Sequence, residues 1–303
     1  MKSENKLKNS MLLDYVKLKD IKPLLSGYII EAQSMLNQHL VPDDKVVHDI
    51  RVLMKKSRAT MRLLLTQLDK ESYNKEYLTF REVGGIMRLW RETSVHRKTL
   101  KDFRKRYPDI FSRLGENEKL SRLTKKPDEI QEPPATMKEN IEKINDLLNK
   151  SKYRIRFHSM NTLDPQLLLK ELELTYNNVM DCYLTARNNP KTVNLHEFRK
   201  RSKDFLYQLY FFRPIRPSVV KSLEKKLDAM TQNLGRYNDL AILIKAFDYK
   251  YSNAENNNAL DELIVIIRHE QDRHLSKVWP TAYKIFCPGQ KMLNVLGFKL
   301  LVI

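Results

Sequence analysis

The sequence predicts an all-α fold: two related helical bundles, an internal duplication about a pseudo-twofold axis, forming one domain. Three observations predict it. Only 7 of the 303 residues are Gly, too few for the hairpins and bulges of a β-rich chain of this size, whereas the helix formers Leu, Lys, Glu, Met and Arg abound. Apolar residues recur at helical spacing along most of the chain. A pattern of basic residues around a histidine in the first half returns 148 residues later in the second.

The elements follow in order. Leu24 to Leu40 has helical periodicity. Pro42, Asp43 and Asp44 make a helix start, the Asp side chains being able to accept from the free backbone N–H groups of the first turn, and the helix runs to about Leu68. Ser72 opens another, reaching Glu92, with Gly84-Gly85 as a weak point. Thr93 to Arg106 follows, ended before Pro108, then a shorter helix over Phe111 to Leu123. KKPDEIQEPPAT is a Pro-rich loop. Thr136 and Glu139 have capping-box spacing and open a helix to Lys150. Residues 151–163 lack a clear period and read as a connector between a first half (24–150) and a second (164–280), with residues 1–23 as a lead segment. Asp164-Pro165 is an N-cap and first-turn pair for a helix to Arg187. The next lies between Pro190 and Pro214. Ser218 caps one to Leu234, and Gly235 begins another, to Tyr251. After a polar loop, Ala259 to Trp279 is the last long helix, stopped by Pro280. Residues 281–303 are apolar but short and broken by Lys299, and are expected to dock on the core.

Apolar residues make up 42% of the chain, enough to offset the entropy of ordering a real core. The formal charge is +18, beyond what solubility needs, and it points to an anionic partner. The excess is spread evenly: 31 basic against 22 acidic residues up to Lys150, and 24 against 15 beyond it. It is therefore not a detachable basic tail. Two cysteines, Cys182 and Cys287, are too few for a disulfide framework and lack metal-ligand spacing, which suits a reducing cytoplasm. No apolar run is long enough to span a membrane, and the N-terminus lacks the features of a secretory signal.

The basic pattern explains how a core helix can carry so much charge. With His48 at zero on a helical wheel, Arg51, Lys55, Arg58 and Arg62 fall within roughly 80° on one side. Ile50, Met54, Ser57, Met61, Leu64 and Leu68 occupy the opposite arc. One edge is cationic and one face is for the core. In the second half His196, Arg199, Lys200, Lys203 and Tyr207 cluster on one side, and Phe198, Phe205, Leu209 and Phe212 on the other. Arg51 aligns with Arg199 and Lys55 with Lys203, while Met87 to Val95 aligns with Leu234 to Ile242 at an offset of 147. If a pseudo-twofold relates the halves, the two cationic edges meet across one groove.

His48, Arg51, Val52, Lys55, Lys56 and Arg58, followed by Leu195, His196, Arg199 and Lys203 and then by LGRYNDLA from Leu234, resemble the CHAD domain, the conserved-histidine α-helical domain. The resemblance covers roughly Leu24 to Trp279. It implies an all-helical fold of two related bundles, binding of inorganic polyphosphate along a basic surface and central cavity, and no catalytic activity or cofactor. It implies His48, Arg51, Lys55, Lys56, Arg58, Arg62, Arg91, His196, Arg199, Lys200, Lys203 and Tyr207 as the anion-binding set, and a cytoplasmic protein found on polyphosphate granules. The chain departs from the pattern at Leu206, where the second motif usually has Arg, at Arg88, which replaces a Gly, and at Glu92 and Ser94, where Asp is common.

Two other functions compete. The same cations would hold nucleic-acid phosphates, with Tyr207, Tyr210 or Tyr237 stacking on bases, although no recognisable nucleic-acid motif is present. A metal-dependent polyphosphate or nucleotide hydrolase would need clustered carboxylates that no spacing provides. His269-Glu270 to His274 misses the zinc-protease pattern by one residue, so the two rings diverge by roughly 140°. His48-Asp49 lacks the further ligands of a metal phosphohydrolase. ELEL from Glu171 has Thr175 where a triphosphate-tunnel enzyme has Lys, and it reads as helix. Asp239 and Glu92 are expected to bond helix ends or arginines.

Overall fold

A computed structural model describes residues 21–38, 42–114, 134–158, 160, 163–247 and 257–297. Among these residues the secondary structure is helical, with eleven α-helices and no strand. They are α1 Ile21–Asn37, α2 Asp44–Leu63, α3 Lys70–Ile86, α4 Arg88–Arg106, α5 Pro108–Leu114, α6 Pro134–Phe157, α7 Pro165–Asn188, α8 Thr192–Leu209, α9 Pro217–Ala246, α10 Asn257–Phe286 and α11 Met292–Leu296. A 3-10 turn, Tyr210–Phe212, follows α8.

The helix starts obey local chemistry. The Asp43 carboxylate accepts the Val46 N–H at 2.7 Å, Asp69 accepts from Ser72 at 2.8 Å, and Asp164 accepts from Gln166 at 2.8 Å. Each satisfies a first-turn donor that has no partner inside its own helix. Asp69, rather than Ser72, therefore caps α3. Pro134, not Thr136, begins α6, its fixed φ and missing N–H suiting a first turn.

The ends depart from expectation more often, because tertiary packing decides them. The break expected at Thr93 comes at Met87, two residues beyond the glycine pair. The helix expected from Phe111 begins at Pro108 and is described to Leu114; the stretch 115–123 lies outside the described residues. Helix α6 continues through Phe157, so the first seven residues of the expected connector are helical. Buried Glu76 of α3 explains this extension, since it accepts from Ser151 and Arg154 of α6 and lies 3.5 Å from His158. Gly235 lies inside the unbroken α9. Pro280 lies inside α10. It removes one helical hydrogen bond, but Val278, Ala282, Ile285 and Phe286 around it are all buried in the core, and this burial carries the helix past the proline.

Two apolar clusters hold the molecule together. The larger draws on both halves of the chain, with Met54 and Met61 of α2 in the same cluster as Phe198, Phe205 and Leu209 of α8, and with Met292 and Leu296 of α11. The smaller joins α4 and α5 to the far end of α9 and the near end of α10. Helices α2 and α8, which carry the two basic motifs, pack directly on each other. The Gln208 side chain donates to the Ala59 carbonyl across this contact at 3.0 Å, in the buried interior.

A basic cavity between two motif helices

The apolar arcs read from the sequence are buried: Ile50, Met54, Ser57, Met61 and Leu64 on α2, and Phe198, Phe205, Leu209 and Phe212 around α8. Leu68 is partly buried against the same core. With these faces anchored, the cationic edges turn to one side, where a cavity of about 620 Å³ opens between α2, α8 and α9. Ten of the twelve expected anion-binding residues line it: His48, Arg51, Lys55, Arg58 and Arg62 from α2, and His196, Arg199, Lys200, Lys203 and Tyr207 from α8.

Lys56 does not join them. It faces a neighbouring cavity, its ammonium 5.6 Å from the centre of the Tyr28 ring. The helical wheel explains the correction, since Lys56 sits roughly 100° round from Lys55. The Arg91 side chain lies outside the described ones, as does that of Glu92.

The arginines at the heads of the two motifs make matching contacts. Arg51 donates to the Gly84 carbonyl of α3, and Arg199 donates through Nε to the Thr231 carbonyl of α9 at 3.1 Å. Each arginine is thus braced by the backbone of the next long helix in its half, its charge still on the cavity wall. Gly235 gives the Arg199 guanidinium room. A Cβ there would lie 3.1 Å from Nε and from one terminal nitrogen of Arg199, closer than ordinary packing permits.

Acids temper the charge without balancing it. Asp204 approaches Arg62 to 2.6 Å and Arg201 to 3.7 Å. Burial pushes its carboxyl up, while Arg62, Arg201 and Arg58 pull it down. Asp228 takes Lys203 at 2.9 Å and Gln232 at 2.7 Å. Lys200 and Arg201 both bond Glu197 on their own helix. Neither Asp204 nor Asp228 was foreseen from sequence; each belongs to a helix whose neighbour is set only by the tertiary fold. Even so, seven Lys or Arg face two carboxylates across the cavity.

Several groups pay an electrostatic cost for this crowding. Burial lowers the pKa of Arg58, whose Nε is buried with no hydrogen-bond partner among the described residues. Burial and then Arg199 hold His196 below its ordinary value, opposed by a hydrogen bond with Asn238. Burial pushes the Tyr207 hydroxyl up to about 12, so it remains a donor. The wall therefore combines seven cations with two carboxylates that are already engaged by Arg62 and Lys203.

The near-miss motifs stay apart. His269 is exposed, whereas His274 turns inward to Asn233 at 2.9 Å. Asp49 pairs with Lys45, one turn earlier on α2. ELEL lies in the middle of α7, with Glu171 buried. Asp239 lines a second basic hollow beside Arg236 and Arg273. Among the described residues no group of three or more His, Cys, Asp or Glu side chains is placed to hold a metal ion. No helix there is long and apolar enough to cross a membrane.

A search of curated proteins finds no match. The model of the CHAD domain family matches residues 32–248. That span is more than two thirds of the chain, and it includes both motif helices and the cavity between them. The chain belongs to the CHAD domain family.

Proposed function

We propose that this protein binds inorganic polyphosphate, without hydrolysing it, in the cavity between α2 and α8. One observation carries the reading: ten of the residues singled out by the repeated motif converge on one cavity where seven cations face two acids. A polyphosphate chain has a charge on every unit and no bases to be read, so a wall of Arg forks and Lys ammoniums suits it. The two acids on the wall are each engaged by a cation, which fits holding a chain rather than cutting it. Polyphosphate binding is also the property with which the family is associated. In this reading the protein works in the cytoplasm and gathers on polyphosphate granules, other polyanions compete weakly, and the two halves arose by duplication, since Arg51 and Arg199 are braced alike.

The test is a titration with long-chain polyphosphate at several salt concentrations. Binding should weaken steeply as salt rises, because each neutralised phosphate releases condensed counterion. Replacing Lys55, Arg58, Lys200 and Lys203 together by Gln should lower affinity at least a hundredfold while the far-ultraviolet circular dichroism stays unchanged. Wild-type protein that does not bind at low salt, or a folded quadruple variant that binds as well as the wild type, would overturn the assignment. RNA displacing polyphosphate at equal phosphate concentration would favour a nucleic-acid ligand instead.

A further inference from the structure

A second cavity, of about 710 Å³, adjoins the first. Tyr207 and Asp228 line both, so the two cavities share that wall. The second is built differently. Its walls carry Leu24 and Tyr28 from α1, Leu206 and Tyr207 from α8, and Tyr210 from the 3-10 turn. Leu206 is the position where α8 carries an apolar side chain in place of a cation. Its counterpart on α2 by the 148-residue offset is Arg58, which faces the basic cavity. The exchange turns what would be more anion surface into an apolar wall.

The rim stays basic. Lys56, Lys221 and Lys225 reach it, while Arg213 is tied to Glu224 by paired 2.8 Å bonds. Lys56 lies near the Tyr28 ring, Arg213 near the Tyr210 ring and Lys203 near the Tyr207 ring. Glu224 and Asp228, the acids of the pocket, are both engaged by cations. What remains is an apolar and aromatic wall edged with donors. Inorganic phosphate gains from the basic rim alone and nothing from the apolar part of the wall, against which it loses hydration. A flat heteroaromatic ring gains by stacking on tyrosine and by presenting its acceptors to lysine.

We infer that the tyrosine-lined cavity seats the base of a nucleoside 5′-polyphosphate whose phosphates pass Tyr207 into the basic cavity between α2 and α8. For its anionic end this rests on the polyphosphate reading. For the base it rests on the apolar wall made by Leu206 and the three tyrosines. Burial pushes the hydroxyls of Tyr28 and Tyr207 up to about 12. Tyr210, which also lines the cavity, is 44% exposed, so its ring is accessible to a bound base.

The experiment is calorimetric titration of the full chain with inorganic triphosphate and with guanosine 5′-triphosphate, at equal ionic strength and without added divalent metal. The nucleotide should bind at least tenfold tighter. Tyr210→Ala should remove that advantage and leave the affinity for inorganic triphosphate unchanged, whereas Tyr210→Phe, which retains the ring, should keep it. Leu206→Arg should also collapse the advantage. If inorganic triphosphate binds and the nucleotide is no tighter, or if Tyr210→Ala leaves the advantage intact, the inference fails while the polyphosphate reading stands. If only the nucleotide binds, the base pocket stands and the polyphosphate reading fails. If neither binds, both fail.

Discussion

Arg58 shows how a single residue can be costly to the fold and useful to the site. Its guanidinium is half-buried, its Nε lacks a hydrogen-bond partner, and no carboxylate among the described residues pairs with it. Asp204 offsets part of the desolvation of this cation, and a bound anion would offset more. Arg58→Met should therefore leave the melting temperature equal or raised while polyphosphate affinity falls about tenfold, the effect of one charge-assisted hydrogen bond; a lower melting temperature with unchanged affinity would contradict this. Lys56, two residues earlier in the same motif, should behave differently. It faces Tyr28 and the other cavity, so Lys56→Gln should change inorganic polyphosphate affinity by about twofold or less, the residual being long-range charge. At this scale the cation stripe was legible, because helical geometry alone puts Arg51, Lys55, Arg58 and Arg62 on one edge. The same geometry separates Lys56, and the family motif, read as a string of letters, hides that separation. Asp204 and Asp228 were not legible, since nothing local to α8 or α9 says which cation each will meet.

Helices behave as units whose ends are set by what they pack against. Asp43 and Asp164 mark starts that the sequence predicts, because a cap is a contact between residues two or three apart. Gly235 reads locally as a break, yet α9 runs through it, and the need for Gly there comes from Arg199 on another helix. Gly235→Ala should separate the two effects. Ala gains up to about 1 kcal/mol of helix propensity, so stability should hold or rise, while Arg199 is pushed aside and polyphosphate affinity falls several-fold. Unfolding in denaturant and titration of the same sample check both parts, and a variant that gains stability at full affinity would contradict the account. Between α3 and α6 the contact is a buried charge. Glu76 is fully buried and satisfied by Ser151 and Arg154. Glu76→Ala leaves Arg154 without its carboxylate and should cost about 3 kcal/mol or more, with affinity unchanged in the folded fraction. No periodicity in residues 151–157 announces that helix. Its length depends on a glutamate 75 residues earlier.

At the scale of the described molecule, both halves of the chain contribute to the larger apolar cluster and to the basic cavity, and the proposed function rests on that meeting. Two histidines couple this arrangement to pH. Burial lowers the pKa of His196 and of His274 below 6.5, so in the folded protein both stay neutral where the unfolded chain would take up protons. Stability should therefore be full above about pH 6.5 and fall as the pH drops towards the depressed folded values. Thermal melts from pH 7.5 to 5.5 should show the fall, and His196→Asn should reduce it. Bound polyphosphate should reverse the His196 contribution, since an anion beside the ring favours its charged form; affinity should then rise on acidification in the wild type and rise less in His196→Asn. The all-helical class, the charge and the paired motifs were readable from composition and period, which are properties of short windows. The tyrosine-lined cavity was not, because Tyr28, Leu206 and Tyr210 come together only when α1 packs on α2 and α2 in turn packs on α8. The measurement that tests the central claim most directly is a crystal structure of the protein soaked with short-chain polyphosphate. The account predicts phosphate oxygens within hydrogen-bonding distance of Arg58 or Lys55 from α2 and, on the same anion chain, of Arg199 or Lys203 from α8. Ordered phosphate elsewhere on the surface, with this cavity empty at saturating ligand, would contradict it.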